Sequence, residues 1–261
     1  AAAPVIRHRL GDITLDGIAF GERRDINGVT VSFHPAGHVP GSAQIRVEHK
    51  GEVWVVSGDY KTTADGLSEP FEPVKCHAFI TECTFGLPVF DWRPEAELAA
   101  QINDWWRTNA EQGRVSAIGA YSLENTNEVL RAQGLHLPDT VRVTPDLDPK
   151  ASPGAMLIAP PSALDSTWSR RFGPVATAFA SGWMALRGVR RRRATERGFV
   201  VSDHADWKGL NAAIAETGAT RIFATHGYTS TFRDWLEHQG YDAQIVQTEF
   251  GDELLDAEDI A

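Results

Sequence analysis

The sequence predicts an α/β protein in which a second, smaller α/β domain is inserted into the first. Three observations lead to this fold class: short β-branched runs between turn residues in the first third, alternating strand and helix patterns in the last third, and repeated prolines between them. If the two ends form one body, the middle is an insertion. We therefore place the main domain at residues 1–87 and 196–261 and the inserted domain at residues 88–195.

The strands expected in the first third are separated by turn dipeptides such as Asn27-Gly28 and Lys50-Gly51, which favours an antiparallel sheet. A further strand precedes the first strong helix, whose apolar positions recur every three to four residues between Pro94 and Gly113. The predicted strands are residues 29–33, 43–47, 53–57 and 78–82, and the predicted helix is residues 95–111.

The middle segment predicts strands at residues 115–119, 141–144 and 156–159 and a helix near residues 124–133. The last third predicts a regular alternation of strands and helices. Its strands are residues 199–202, 221–225 and 243–246, and its helices are residues 207–216 and 231–239. Alternation of this kind predicts right-handed β-α-β units.

The composition bounds the classes of protein that the chain can represent. Of 261 residues, 42% are hydrophobic and 23% are charged, which excludes a disordered, collagenous or coiled-coil protein. The net charge of -10 means that a nucleic acid would have to bind a local basic patch. Cys76 and Cys83 are too few for a disulfide framework or a thiolate zinc site, and we interpret Cys83 as a small buried residue. With no signal peptide and no long apolar run, we expect a cytoplasmic protein without a membrane partner.

Four polar side chains lie at or just after the ends of successive predicted strands. They are Asp59, Glu82, His204 and His226. Strand ends are where α/β folds place their sites. The ordinary alternatives are an Asx turn at Asp59 and a helix cap at Ser202 or Asp203.

His34 and His38 have the spacing of a helical zinc pair, but Pro35 and Gly37 exclude a helix there. We expect instead a strand that ends in a glycine-rich turn and projects His38 from a sheet edge, where loop residues commonly carry function. A turn histidine with no such function is the alternative.

Taken together, five motifs resemble the β-CASP nucleases, a branch of the metallo-β-lactamase superfamily, and most closely the bacterial ligase-associated DNA exonucleases. The motifs are Ala36-Gly37-His38 with Gly41-Ser42-Ala43, Ser57-Gly58-Asp59, Thr81-Glu82 with Thr84-Phe85-Gly86, Ser202-Asp203-His204-Ala205-Asp206, and Thr225-His226-Gly227. The resemblance implies a metallo-β-lactamase αβ/βα sandwich with an inserted β-CASP domain and a site in the cleft between them.

The same resemblance implies a two-metal DNA exonuclease that acts in DNA repair beside an ATP-dependent DNA ligase. His38, Asp59 and His226 would bind zinc or manganese. Glu82 would orient a metal-bound histidine, and His204 would contact the scissile phosphate and assist the leaving oxygen. Paired cations that activate a water suit phosphodiester hydrolysis. An RNA-processing nuclease of the same branch and a small-molecule metallohydrolase of the wider superfamily are alternatives.

The chain departs from the family pattern in two blocks. A His-x-His-x-Asp-His cluster is absent upstream of His38, and the chain skips a segment near Tyr121-Ser122-Leu123-Glu124. One hypothesis is that the sequence is the remainder of a longer nuclease that lacks its N-terminal part. The other is a catalytically inactive protein that binds nucleic acid. With His38, Asp59 and His226 as its ligands, the chain as written is expected to be metal-free or partly occupied.

A basic run, residues 187–193, is the candidate for binding DNA phosphates. Arg190 and Arg191 lie within it, and Arg side chains bind phosphate bidentately. The nearby Ser181 lies in a segment that resembles a family element beside the cleft, so it is a candidate substrate-binding residue. A solvated charged face is the alternative for the run.

Overall fold

The computed structural model describes residues 2–120, 139–164, 166–193 and 195–246. The chain divides into two compact units: a first unit, Ala1–Asp91 with Asp203–Ala261, and a second unit, Trp92–Ser202. The helix predicted near residues 124–133 and the skip near residues 121–124 lie outside the described residues.

The first unit contains a seven-stranded sheet of order β1-β2-β3-β4-β5-β10-β11. Neighbours are antiparallel from β1 to β4 and parallel from β4 onward. The strands are β1 (Arg23–Ile26), β2 (Val29–Pro35), β3 (Ala43–His49), β4 (Glu52–Val56), β5 (Ala78–Cys83), β10 (Arg221–Gly227) and β11 (Asp242–Ile245).

Among the described residues of this unit there are three helices, namely α1 (Ala2–Leu10), α5 (Trp207–Thr217) and α6 (Thr229–His238). The core forms where apolar side chains of α5 and α6, such as Leu210 and Phe232, pack against sheet residues such as Val55, Phe79 and Ile222. Burial of such side chains contributes roughly 1.5–3 kcal/mol each. The described residues of this unit form one sheet, so the two-sheet sandwich expected from the resemblance is not seen in them, whereas the mixed α/β class is confirmed.

The second unit contains a parallel four-stranded sheet of order β7-β6-β8-β9. Apolar clusters lie on both of its faces: one includes Leu157 and Phe172, and the other joins Ile118 and Phe199 to Trp105 of α2. In the part of this unit that the structure describes, the strands are β6 (Val115–Gly119), β7 (Met156–Ala159), β8 (Val175–Ala180) and β9 (Arg197–Phe199), and the helices are α2 (Glu95–Glu111), α3 (Thr167–Arg170) and α4 (Arg187–Arg192). Short 3-10 turns lie at Pro149–Ala151, Pro161–Ala163 and Gly182–Ala185.

Two predicted strands are wrong. Residues 141–144 form no strand, and Val141 is 79% exposed, because its β-branched side chain has no sheet to pack on. The strand predicted at residues 199–202 lies at Arg197–Phe199 and pairs with β8 in the second unit. The described part of the last third therefore contains a single β-α-β unit, β10-α6-β11.

None of the described helices is both long and apolar enough to cross a membrane.

Candidate active site

The topology of the first unit brings the predicted site residues to one edge of its sheet. Strands β2, β4, β5 and β10 all run in the same direction, so their carboxyl ends meet at the same edge. His38 follows β2, Asp59 follows β4, and Glu82 and His226 lie near the ends of β5 and β10. The antiparallel β3 returns the chain between β2 and β4, which explains how His38 reaches this edge.

The buried Glu82 carboxylate is the centre of this site. Its Oε1 accepts a hydrogen bond of 2.8 Å from the Tyr60 backbone N–H, and Glu82 is only 2% exposed. The His204 Nδ1 lies 2.8 Å from Oε2 and 3.0 Å from Oε1. Because a carboxylate only accepts hydrogen bonds, the His204 Nδ1 carries the proton, and the Nε2 is left for other chemistry.

The environment of His204 favours its charged form. Burial lowers the pKa of the imidazole, but the hydrogen bond to Glu82 and the charges of Glu82, Asp203 and Asp59 outweigh the burial and raise the pKa to about 9. The ring also contacts Phe85 edge-on, at a centroid distance of 5.9 Å. A buried carboxylate thus holds a cationic imidazole in one orientation.

The turn that carries His38 depends on the side chain of Ser42 and on the glycine at position 37. Ser42 Oγ accepts the backbone N–H groups of His38 and Val39, which closes the turn. Gly37 has a φ of +77°, and a Cβ there would lie 2.2 Å from the Lys61 carbonyl oxygen. The His38 Nδ1 donates to the Asp203 carbonyl at 2.9 Å, and its ring lies edge-on to His204 with centroids 4.8 Å apart.

Asp203 is the site residue that sequence reasoning missed. Its Oδ1 lies 3.7 Å from His204 Nε2 and its Oδ2 lies 3.7 Å from His38 Nδ1. The interpretation of Ser202 or Asp203 as the cap of α5 is wrong, because Asp206 is the N-cap and accepts the Gly209 N–H at 2.7 Å. Residues 203–206 begin and end with an aspartate, and only one of the two can cap the helix that follows. This pattern could have indicated that the other aspartate has a different role.

His226 occupies a strained position at the end of β10. It has a φ of +57°, and the register with β5 shifts there, which marks a β-bulge. The bulge packs closely against Cys83. The buried Cys83 thiol donates a hydrogen bond of 3.0 Å to the His226 carbonyl, and a Cβ on Gly227 would lie 2.4 Å from the Cys83 carbonyl oxygen. The prediction that Cys83 is buried is confirmed.

Potential metal ligands form two groups among the described residues. One contains His38, Asp203 and His204, and the other contains Asp59, Glu82 and His204; within each group the ligand atoms lie within 4.8 Å of one another. Of the three predicted ligands, His38 and Asp59 each lie in a group, and His226 lies in neither. These imidazole and carboxylate donors are of the kind that zinc and manganese bind, so the residues fit a divalent metal.

The predicted DNA-binding residues lie in the second unit. Ser181 Oγ accepts the Trp183 N–H at 3.3 Å, so this hydroxyl caps a 3-10 turn. Val189 of α4 is buried, whereas Arg190 and Arg191 on the same helix are exposed. The helix therefore turns its cationic side to solvent, as a phosphate-binding surface requires.

Comparison with known proteins gives three curated relatives. The chain is 28% identical over 268 aligned residues to a probable DNA ligase of Opitutus terrae, covering 94% of this chain and 26% of that protein. It is 29% identical over 116 residues to RNase aCSPSF2 of Saccharolobus solfataricus, covering 43% of this chain and 23% of that protein. It is 28% identical over 118 residues to cleavage and polyadenylation specificity factor 73 of Drosophila melanogaster, covering 44% and 17%.

These similarities support the β-CASP branch. RNase aCSPSF2 and the Drosophila factor are β-CASP metallo-β-lactamase proteins, and the motifs of this chain resemble that branch. The chain spans about a quarter or less of the length of the three relatives. No family model matches the chain.

A solved structure shows a similar fold. It is a protein of unknown function from Enterococcus faecalis, with a TM-score of 0.54 and 11% identity, and the match covers 92% of this chain and 67% of that one. At this identity the likeness concerns the fold alone.

Proposed function

We propose that this chain is part of a metal-dependent nuclease that hydrolyses phosphodiester bonds of DNA as an exonuclease in DNA repair. The observation that carries the proposal is the buried Glu82–His204 pair, which lies at the sheet edge reached by His38 and Asp59. A carboxylate that fixes an imidazole beside potential metal ligands is the arrangement that acid catalysis on a phosphodiester needs.

Each side chain has a distinct role in this proposal. His38, Asp59 and His226 would hold divalent cations, zinc or manganese, which when bound activate a water and stabilise charge on the phosphate. His204 holds a proton on Nε2 and delivers it to the leaving oxygen. Glu82 keeps the ring oriented through Nδ1, and the Tyr60 N–H in turn fixes the carboxylate. The bulge at His226 presents that ring at the exposed end of β10.

The test is metal-dependent cleavage of an end-labelled DNA strand by the full chain and its variants. We expect His204→Asn to slow cleavage at least about 100-fold, since a positioned acid contributes roughly 10²–10⁴. His49→Asn is the matched control, because His49 lies in a β-hairpin and its Nδ1 donates to the Gly28 carbonyl. Wild-type rates in His204→Asn would overturn the proposal. Absence of cleavage with zinc or manganese in the wild type would support the non-catalytic alternative instead.

RNA is the second candidate substrate, because two of the three relatives carry names of RNA-processing proteins. DNA is favoured by the relative named as a ligase, whose match spans nearly the whole chain. Cleavage of DNA and RNA strands of the same sequence separates the two. Faster cleavage of RNA would transfer the proposal to RNA processing.

The cationic surface of α4 is proposed to bind backbone phosphates. Neutralising Arg190 and Arg191 with glutamine should weaken single-strand DNA binding and lower the salt slope by roughly 0.7 for each phosphate that the variant no longer neutralises. Arg107→Gln is the matched control, since Arg107 is an exposed residue of α2 paired with Asp104. Equal slopes in all three proteins would show that α4 is only a solvated face.

We also propose that the nuclease works beside an ATP-dependent DNA ligase. Support comes from the probable DNA ligase of Opitutus terrae, in which the matched region is about a quarter of the protein. The test is ligation of a DNA end with a 3′ or 5′ overhang by an ATP-dependent ligase, with and without this chain. An unchanged ligation yield would count against the partnership.

A further inference from the structure

We infer that His38, Asp203 and His204 form a transition-metal site whose ligand set differs from the His38, Asp59 and His226 set of the proposed function. The site shares His38 with that set but uses an aspartate that neither the motifs nor the relatives assign. The inference rests on four features: ligand spacing, the hydrogen bonds that orient the two rings, the absence of another role for Asp203 among the described residues, and the exposure of its side chain.

The spacing of the ligand atoms is close to that of a zinc site. Zinc holds nitrogen and oxygen ligands at about 2.0–2.2 Å, so two tetrahedral ligands lie about 3.4 Å apart. Asp203 Oδ1 is 3.7 Å from His204 Nε2, and one ligand atom from each of the three residues lies within 4.8 Å of the others. The Asp203 side chain is 59% exposed, so it has the freedom to close the remaining distance.

Hydrogen bonds at Nδ1 leave Nε2 as the ring nitrogen through which each histidine can reach a cation. The His38 Nδ1 donates to the Asp203 carbonyl oxygen, and the His204 Nδ1 donates to the Glu82 carboxylate. Each acceptor keeps a proton on Nδ1, so a cation would bind each ring at Nε2, and on His204 it would displace the Nε2 proton to solvent. Metal-binding histidines in proteins are held by carbonyl and carboxylate acceptors in this manner.

Asp203 has no other evident structural role within the described part of the chain. Asp206 provides the cap of α5, so the helix does not need Asp203. Among the described residues, the ion-pair contacts of the Asp203 carboxylate are with His38 and His204 alone. The Asp203 carboxylate therefore faces both rings, and no Lys or Arg of the described residues pairs with it.

Occupation of this site has a chemical consequence for the same ring. A cation on His204 takes the Nε2 lone pair, and that nitrogen then cannot carry the proton for a leaving oxygen. The site is therefore expected to compete with the acid role of His204, so that zinc in excess inhibits any cleavage that depends on it.

The test is direct cation binding by the full chain, measured with Zn²⁺ by calorimetry and with Co²⁺ by visible absorption. We expect Asp203→Asn to weaken binding at least 10-fold and Asp16→Asn to leave it within 2-fold of the wild type. Asp16→Asn is the matched control, since Asp16 is an exposed aspartate that pairs with Arg24. Circular dichroism verifies that each variant is folded.

Nitrogen-15 NMR of the histidine rings identifies the ligands independently. Addition of Zn²⁺ should shift the Nε2 resonances of His38 and His204, and His204 is the ring that the ligand set of the proposed function does not contain. Unaltered binding in Asp203→Asn, an unshifted His204 Nε2 resonance, or no binding by the wild type would each overturn this site. DNA cleavage by the wild type, measured separately, decides the proposed function whichever of these results is found.

Discussion

Replacing Glu82 with glutamine tests whether one buried charge controls His204. Glutamine keeps the size of the side chain and its acceptor for the Tyr60 N–H, but it removes the negative charge beside the His204 Nδ1. Because burial lowers the pKa of His204 while the charges of Asp203 and Asp59 still raise it, we expect the pKa in Glu82→Gln to fall from about 9 toward the ordinary value of about 6.5.

The size of the effect follows from the pKa difference. A shift from about 6.5 to about 9 corresponds to about 3 kcal/mol at 1.36 kcal/mol per unit. Because the folded-state pKa is raised, this stabilisation is fully present below pH about 6.5 and is lost as the pH rises through about 9. The variant should therefore unfold about 3 kcal/mol more easily than the wild type at pH 6, and the difference should shrink toward pH 10.

The assay is urea unfolding at pH 6 and pH 10 in the presence of a chelator, together with an NMR titration of the histidine rings. Glu72→Gln is the matched control, since Glu72 is an exposed carboxylate 3.3 Å from His34 Nδ1, and such pairs are worth about 0–1 kcal/mol. A stability difference that does not change between pH 6 and pH 10, or the same His204 pKa in both proteins, would refute the reasoning.

Three further predictions concern the backbone and the thiols of the first unit. Gly227→Ala should destabilise the fold by about 2–4 kcal/mol in thermal unfolding, because its Cβ would lie 2.4 Å from the Cys83 carbonyl oxygen. The control Gly51→Ala is also at positive φ but has open space around it, so it should destabilise the fold by only about 1–2 kcal/mol. Equal losses of stability in the two variants would contradict the clash at Gly227. Burial raises the pKa of Cys76 to about 11, which lowers the fraction of the reactive thiolate. At pH 8 the Cys76 thiol should therefore react with a disulfide reagent about 100-fold more slowly in the folded chain than in urea. Equal reaction rates would show that the thiol is not buried. Asp206→Ala removes the cap of α5 and should cost about 1 kcal/mol in urea unfolding, and an unchanged midpoint would count against the cap.

The elements that were predictable from sequence are those with strong local signals at both ends. Helix α2 has the predicted bounds because Pro94 precedes it and Gly113, at a φ of +70°, follows it. Strand β9 shows the limit of this reasoning. Its apolar residues indicate a strand, but the choice of sheet depends on the long-range pairing of β8 and β9, which no local pattern contains.

The position of the candidate site in the fold was predictable from the sequence, but the contacts between its side chains were not. Polar residues at successive strand ends indicated a common sheet edge, and β4, β5 and β10 do run in parallel. The pairing of Glu82 with His204 spans 122 positions of sequence and depends on side-chain rotamers, so it was not derivable from spacing. The strained φ of His226 is likewise a product of tertiary packing on Cys83 rather than of local preference.

The discontinuity of the first unit has a consequence for synthesis on the ribosome. Strand β5 pairs with β10, yet the whole second unit is translated between them. A nascent chain that ends before Arg221 therefore presents β5 with one unpaired edge and the apolar side chains that α5 and α6 later cover. The second unit, being continuous in sequence, is complete while that edge is still open. We expect chaperone binding and aggregation during translation to concentrate on this edge until β10 emerges and pairs with β5.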